Sequence, residues 1–355
     1  MLIESVMGLF VLGMVTLSAP RLVGREPTSL GKLKASMYLT LILILVSYIS
    51  ITIGIIRILG PDTGPAILIA AVAIVTLFGL VQWLLGPFII NLTYRAREPQ
   101  TGREARVQAI LENAARKAGM RKPPKLRIVD TRLPNAFAYG SPLMGSYVAV
   151  TSSLIDIMDD NEIEAVLGHE LGHLKHRDVT WILALSIVPL ALYFIGRSLI
   201  YASMFSGEDR EQRESAVYYL AIGALLIALG IVTKLLVAHF NRLREYYADA
   251  FSTVRVGRGS ELQRALAKIY VRLSSPAIRR SMPSLDVARA LYIVAPLVEV
   301  SGGFFYHSDD RIVEMLKSEK VNPVEEIFST HPPVPKRLRF IDSLIQREVR
   351  GLRYE

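Results

Sequence analysis

The sequence predicts a mainly α-helical protein: multi-pass membrane helices joined to an α+β domain with a small sheet outside the bilayer. Three observations carry that prediction. Hydrophobic residues make up 51% of the 355, and the mean hydropathy of +0.35 is high for a water-soluble chain. Five apolar runs approach or exceed the ~20 residues a helix needs to cross the hydrocarbon core. Between the third and fourth of them the pattern changes to short helical and alternating segments typical of a soluble fold. Cysteine is absent, so the chain has neither disulfides nor thiolate metal ligands. The formal charge of +9 is explained by basic residues flanking the spans, and no nucleic-acid recognition motif accompanies it. No nucleic-acid partner is expected; the lipid bilayer is.

The expected spans are Ser5–Leu22, Met37–Leu59, Pro65–Leu92, Val179–Met204 and Ala216–His239. The first is followed, not preceded, by its positive charges (Arg21, Arg25, Lys32, Lys34), the reverse of a signal peptide, so it is kept as a span. Arg197 and Lys234 lie near enough to span ends to snorkel. The loop Arg21–Ser36 has four Lys/Arg against one acid, and Tyr94–Arg106 has four more Lys/Arg. The loop Phe205–Ser215 has four acids and two Arg. This distribution places the N-terminus outside and the segments after the third and fifth spans on the cytoplasmic side of a cell membrane. Four regions follow: a membrane region 1–92, a first soluble part 93–178, two further spans in 179–239, and a second soluble part 240–355.

Within the first soluble part, Arg103–Gly119 has helical spacing (Val107, Ile110, Leu111, Ala114) and Gly119 is a plausible stop. Lys125–Asp130 and Ser146–Thr151 alternate as short strands. Asp160 or Asn161 can cap the next helix, whose apolar residues Ile163, Val166, Leu167 and Leu174 recur at helical intervals. The order is helix–strand–strand–helix.

That last helix carries His169-Glu170-Leu171-Gly172-His173. Imidazoles at i and i+4 stand one above the other and can reach a single zinc ion, while the Glu beside the first is placed to handle protons for a water held there. The bland alternative is a solvated helix with two surface histidines. A third ligand argues against it. Glu245 and Asp249, just past the fifth span, share a helical face, so Glu245 can ligate zinc while Asp249 accepts a hydrogen bond from a ligand imidazole. His173 precedes its span by six residues and Glu245 follows its own by six. If both helices leave the bilayer unbroken, each ligand stands roughly 9 Å beyond it.

The runs Gly168–Asp178 and Arg242–Asp249 resemble the HtpX-type membrane zinc metalloproteases, gluzincins related to the type I CAAX prenyl endopeptidases. The resemblance extends to Asn135-Ala136-Phe137-Ala138, similar to the gluzincin edge strand, and to Ser329-Thr330-His331-Pro332-Pro333 with Arg337. The chain departs from the family in having three expected spans, not two, before the catalytic domain. The resemblance implies a cytoplasmic gluzincin-type zinc peptidase domain with one Zn2+ per chain, bound by His169, His173 and Glu245. It implies Glu170 as the proton carrier, Asp249 behind a ligand, Asn135 and Ala136 holding an extended substrate, and His331 stabilising an oxyanion or locking the Pro332–Pro333 turn.

The implied activity is cleavage of cytoplasmic segments of damaged or misassembled membrane proteins or of unfolded polypeptides. The rivals are a CAAX-type prenyl protein endopeptidase and an inactive zinc-binding scaffold or chaperone. Seven spans characterise the first rival, and an intact Glu170 argues against the second. Three other histidines draw no role: His176 is expected at the surface, and His239 and His307 have no evident partner. Leu291–Val300 is apolar but too short to span and is expected as a core helix.

Overall fold

The computed structural model describes residues 30–59, 64–205, 210–275 and 308–349. The expected first span Ser5–Leu22, the segment Leu291–Val300 and His307 lie outside the described residues. The described chain is mostly helical, with one three-stranded sheet, and divides into two compact units.

One unit is drawn from Tyr38–Gln82 and Thr180–Phe240. It holds most of four helices: α1 (Leu30–Leu59), α2 (Gly64–Thr93), α6 (Asp178–Met204) and α7 (Arg210–Phe251). Among the described residues these four are long and apolar enough to cross a membrane. Ile51 and Ile55 of α1 pack with Leu192 and Ile195 of α6 and Ile222 and Leu226 of α7. The backbones of α6 and α7 approach closely at Gly196 and Gly223, where a Cβ on either would lie 2.6–2.7 Å from the other's carbonyl oxygen. Pro189 inside α6 has no N–H for the carbonyl of Leu185, four residues back. The hydroxyl of Tyr48 on α1 donates to that carbonyl instead.

The other unit is drawn from residues before Tyr38, Trp83–Val179 and the chain from Asn241 onward. Helix α3 (Arg103–Lys117) leads to strands β1 (Lys125–Val129), β2 (Ala136–Ser141) and β3 (Gly145–Thr151), then to the short α4 (Ser152–Ile157) and to α5 (Asp160–Lys175). The sheet order is β1-β3-β2, with β1 parallel and β2 antiparallel to β3, which leaves β2 as an edge. One sheet face (Leu126, Ile128, Ala136, Val148, Val150) joins the main core with α3 and α5. The other (Val129, Phe137, Tyr139, Tyr147, Ala149) is covered by Ile90 and Tyr94 at the end of α2. Beyond α7 come a π-helical turn (Ser252–Val256), α8 (Gly259–Ser274), α9 (Asp309–Ser318), the short α10 (Pro323–Phe328) and α11 (Val334–Val349).

Four sequence expectations are corrected. Helix α1 starts at Leu30, seven residues before the expected Met37, because Leu33 packs on Leu243, Tyr246 and Phe340. The expected order helix–strand–strand–helix gains a third strand, β2, which alternation did not show but which covers most of the Asn135–Ala138 stretch likened to an edge strand. The cap of α5 is Asp159: its carboxylate accepts from Asn161 and Glu162 N–H while the Glu162 carboxylate accepts from Asp159 N–H, a complete capping box. Finally, α5 and α6 are not continuous. His176 closes α5, and Arg177 turns left-handed at φ 54° with its N–H on the Leu174 carbonyl. His173 therefore rides on a separate helix from the span that follows, and the 9 Å reckoning does not apply to it. Helix α7, in contrast, runs unbroken to Glu245 and beyond.

Candidate metal centre

Helix α5 is seated by contacts that involve none of the site's donors. Its capping box anchors the N-terminus, buried Glu162 accepts from Lys268, and buried Glu164 accepts from Lys117 and Arg258. Ser252 donates to the Ala165 carbonyl at 2.6 Å, and Gly168 lies so near the π-helical turn that a Cβ there would meet Val256 at 2.8 Å. That close approach holds the helix against the π-helical turn one residue before His169.

The two imidazoles turn their Nε2 atoms toward each other, 3.1 Å apart. Glu245 of α7 closes a triangle, one carboxylate oxygen 3.6 Å from His169 Nε2 and the other 3.4 Å from His173 Nε2. Each Nδ1 already has a carboxylate: His169 meets Asp249 at 3.0 Å, His173 meets Asp178 at 2.5 Å. Protons held at Nδ1 leave the Nε2 lone pairs converging on one point. A tetrahedral ion with bonds of about 2.0–2.1 Å spaces its ligands about 3.3 Å apart, close to the separations found. The buried Glu245 Oε2 has no hydrogen-bond partner, although Arg337 Nη1 stands 3.7 Å away, and so keeps a lone pair for a cation. The donor set of two nitrogens and a carboxylate fits a metal ion.

Burial works against a charged His169, but Asp249 and Glu245 outweigh it and raise the imidazole to about 9, so the pocket favours positive charge. Arg337 of α11, wholly buried, grips Asp249 with Nε at 2.8 Å and Nη2 at 2.6 Å. Burial raises the Glu170 carboxyl above its ordinary range, opposed in part by the two histidines and by the N–H of Ala138 on β2. His331 lies 3.8 Å from Glu245, outside the donor triangle. Burial lowers its pKa and favours the neutral ring, and its Nδ1 meets the Thr330 hydroxyl at 3.1 Å. Its segment is tied to α7 by Arg242, which donates to the carbonyls of Ile327 and Ser329.

The structure thus gathers His169, Glu170, His173, Glu245, Asp249 and His331 in one place. Asn135 precedes the edge strand, where its main chain is committed to β3: its carbonyl accepts from Thr151 N–H and its N–H donates to Thr151 Oγ1. By the alternation of an antiparallel ladder, the main-chain groups of Ala136, Ala138 and Gly140 face away from β3. His176 is not the surface residue expected; it is half-buried, edge-on to Tyr247 and Phe251. Sequence reasoning missed Asp178, Arg244 and the buried role of Arg337. Asp178 and Arg337 lie within the motifs that prompted the resemblance, but only three-dimensional placement shows what they touch.

Comparison with known proteins agrees with this geometry. A profile of Peptidase family M48 matches residues 101–345. "Protease HtpX homolog" from Aeropyrum pernix is 49% identical over 286 residues, 80% of this chain and 88% of that protein. A protein of the same description from Pyrobaculum calidifontis is 35% identical over 345 residues, 95% and 97% of the two chains. The crystal structure of S. mikatae Ste24p shares the fold at a TM-score of 0.51 and 18% identity, covering 87% of this chain and 67% of that one. With four apolar helices among its described residues and its His-His-Glu cluster, the chain belongs to peptidase family M48, as a multi-pass membrane metalloprotease of the HtpX type.

Proposed function

We propose that the protein is a zinc endopeptidase that cuts cytoplasmic segments of damaged or misassembled membrane proteins. The observation that carries the reading is the placement of Glu170. It is buried beside two convergent imidazoles, and its carboxylate is bonded to the N–H of Ala138 on the edge strand β2.

His169, His173 and Glu245 hold the ion, one per chain, and Asp249 keeps the proton on His169 Nδ1. Zinc bound there supplies a Lewis acid that polarises a peptide carbonyl and acidifies water. Glu170 takes a proton on its carboxylate and returns it to the departing amine; its raised affinity for protons suits both transfers. An extended substrate would add to β2 as a further strand through the half-buried main chain of Ala138 and Gly140 rather than that of Ala136, which is 1% exposed. The main chain of Asn135 is occupied, so its contribution falls to the side chain. His331, held neutral, offers one N–H to the oxyanion that develops on the carbonyl.

The unit that holds Trp83–Val179 and the chain from Asn241 onward would be the catalytic part, and the unit of Tyr38–Gln82 and Thr180–Phe240 the membrane part. The excess of Lys and Arg in Arg21–Ser36 and Tyr94–Arg106 supports a cytoplasmic catalytic part. The test is purified full-length protein in detergent with zinc and an unfolded membrane-protein substrate, wild type against Glu170→Gln. The variant should keep its zinc and lose nearly all cleavage, with wild-type cuts mapping by mass spectrometry to cytoplasmic loops and tails. Full activity in zinc-loaded Glu170→Gln removes Glu170 from its role. Cuts inside spans or on the external side remove the assigned topology.

A further inference from the structure

We infer that Asp178, clamped by Arg244, is the positioning residue for His173, so that each imidazole of the site is aimed by its own carboxylate–arginine pair. The inference rests on the reading of His173 as a metal ligand.

Were α5 to continue, residue 178 would stand five positions past His173, about 140° around the helix, and would point away from it. The left-handed turn at Arg177 ends α5 and redirects the chain, and the first residue of α6 brings its carboxylate back to His173 Nδ1 at 2.5 Å. Arg177 is not a glycine, so this conformation is uncommon and persists only where its surroundings over-determine it. Two buried charges hold it. Asp178 is buried, and Arg244, also buried, meets its Oδ2 at 2.8 Å. Arg244 is steadied in turn by Asn241, whose side-chain oxygen accepts from its Nη1 at 3.1 Å.

Arg244 immediately precedes Glu245 on α7. One turn of one helix therefore supplies both the third donor and the clamp that orients the second. The arrangement repeats at His169, where Asp249 meets Nδ1 and Arg337 grips Asp249. In each case the carboxylate keeps the proton on Nδ1, and the arginine fixes the carboxylate so that it cannot rotate away.

The test uses full-length protein in detergent and reads zinc affinity by competition with a chelator, together with the visible absorption of the cobalt(II)-loaded form. Asp178→Ala should bind zinc roughly 10–100-fold more weakly, and Asp178→Asn, which keeps an oxygen acceptor, less so. Arg244→Gln should weaken binding by a smaller factor and add nothing to Asp178→Ala in the double variant, because it acts through that carboxylate. The cobalt bands of Asp178→Asn should shift, which a purely structural residue would not cause. Zinc affinity within twofold of wild type in Asp178→Asn and Asp178→Ala, with unchanged cobalt bands, overturns the inference. Should Asp178→Ala not fold, the near-isosteric Asp178→Asn decides alone. Wild-type zinc affinity in His173→Ala instead overturns the ligand reading itself, a separate result.

Discussion

Arg337 and Asp249 form a two-point ion pair with no solvent exposure on either side chain, and this pair stands directly behind His169. Removing one member strands the other charge in the interior. Arg337→Ala should therefore destabilise the catalytic unit by about 3–5 kcal/mol. Denaturant unfolding of the detergent-solubilised protein measures this, and the double variant with Asp249→Ala should cost less than the sum of the two single changes. Additive costs would show that the pair is not a unit.

Glu245→Ala removes one of three donors without touching the carboxylates behind the histidines. Zinc per chain, measured after dialysis, should fall sharply below one. Full occupancy in this variant would take Glu245 out of the donor set.

Glu164 gives a pH dependence that is separate from the metal. Burial pushes its carboxyl up, but Lys117 and Arg258 more than offset this and hold it below the ordinary range. A depressed carboxyl stabilises the fold above its unfolded pKa of ~4.3, and that contribution disappears as pH falls through the folded value. Glu164→Gln should accordingly be less stable than wild type by a constant amount at neutral pH. The gap should close as pH drops below the ordinary carboxylate range. A gap unchanged in acid would mean that the ionised form is not what these bonds stabilise.

The crossing of α6 and α7 gives a steric prediction. A methyl at Gly196 would stand 2.7 Å from the Gly223 carbonyl oxygen, a backbone atom that cannot swing aside. Gly196→Ala should cost about 1–3 kcal/mol in an unfolding assay in mixed micelles. Gly54 of α1 has nothing within 4 Å of such a methyl, so Gly54→Ala should be neutral or stabilising by about 0.5–1 kcal/mol. Equal effects at the two positions would contradict the close helix approach.

What the sequence disclosed follows the range of the forces involved. His169 with His173, and Glu245 with Asp249, were legible because four-residue spacing is a local property of one helix. The apolar helices from Met37 to Leu92 and from Val179 to His239 were legible because bilayer thickness fixes their length. The start of α1 was not: Lys32 and Lys34 mark a loop by composition, and only the contact of Leu33 with Leu243 and Phe340 extends the helix past them. Asp178 was hidden because nothing in an arginine at 177 announces a left-handed turn. The grip of Arg337 on Asp249 was hidden by the 88 residues between them.

On the proposed function, the half-buried Ala138 carbonyl and Gly140 main chain at the edge of β2 would offer a substrate only main-chain groups, which every residue except proline can satisfy, so recognition there would be almost blind to side chains. Choice of target then falls on supply: a segment enters in proportion to how often it is found extended. Each 1.4 kcal/mol of local folding stability lowers that supply about tenfold. Under the proposed function the peptidase would need no recognition code, because a membrane protein that holds its loops and tails folded would withhold them from the edge. A damaged one would surrender them through its own instability.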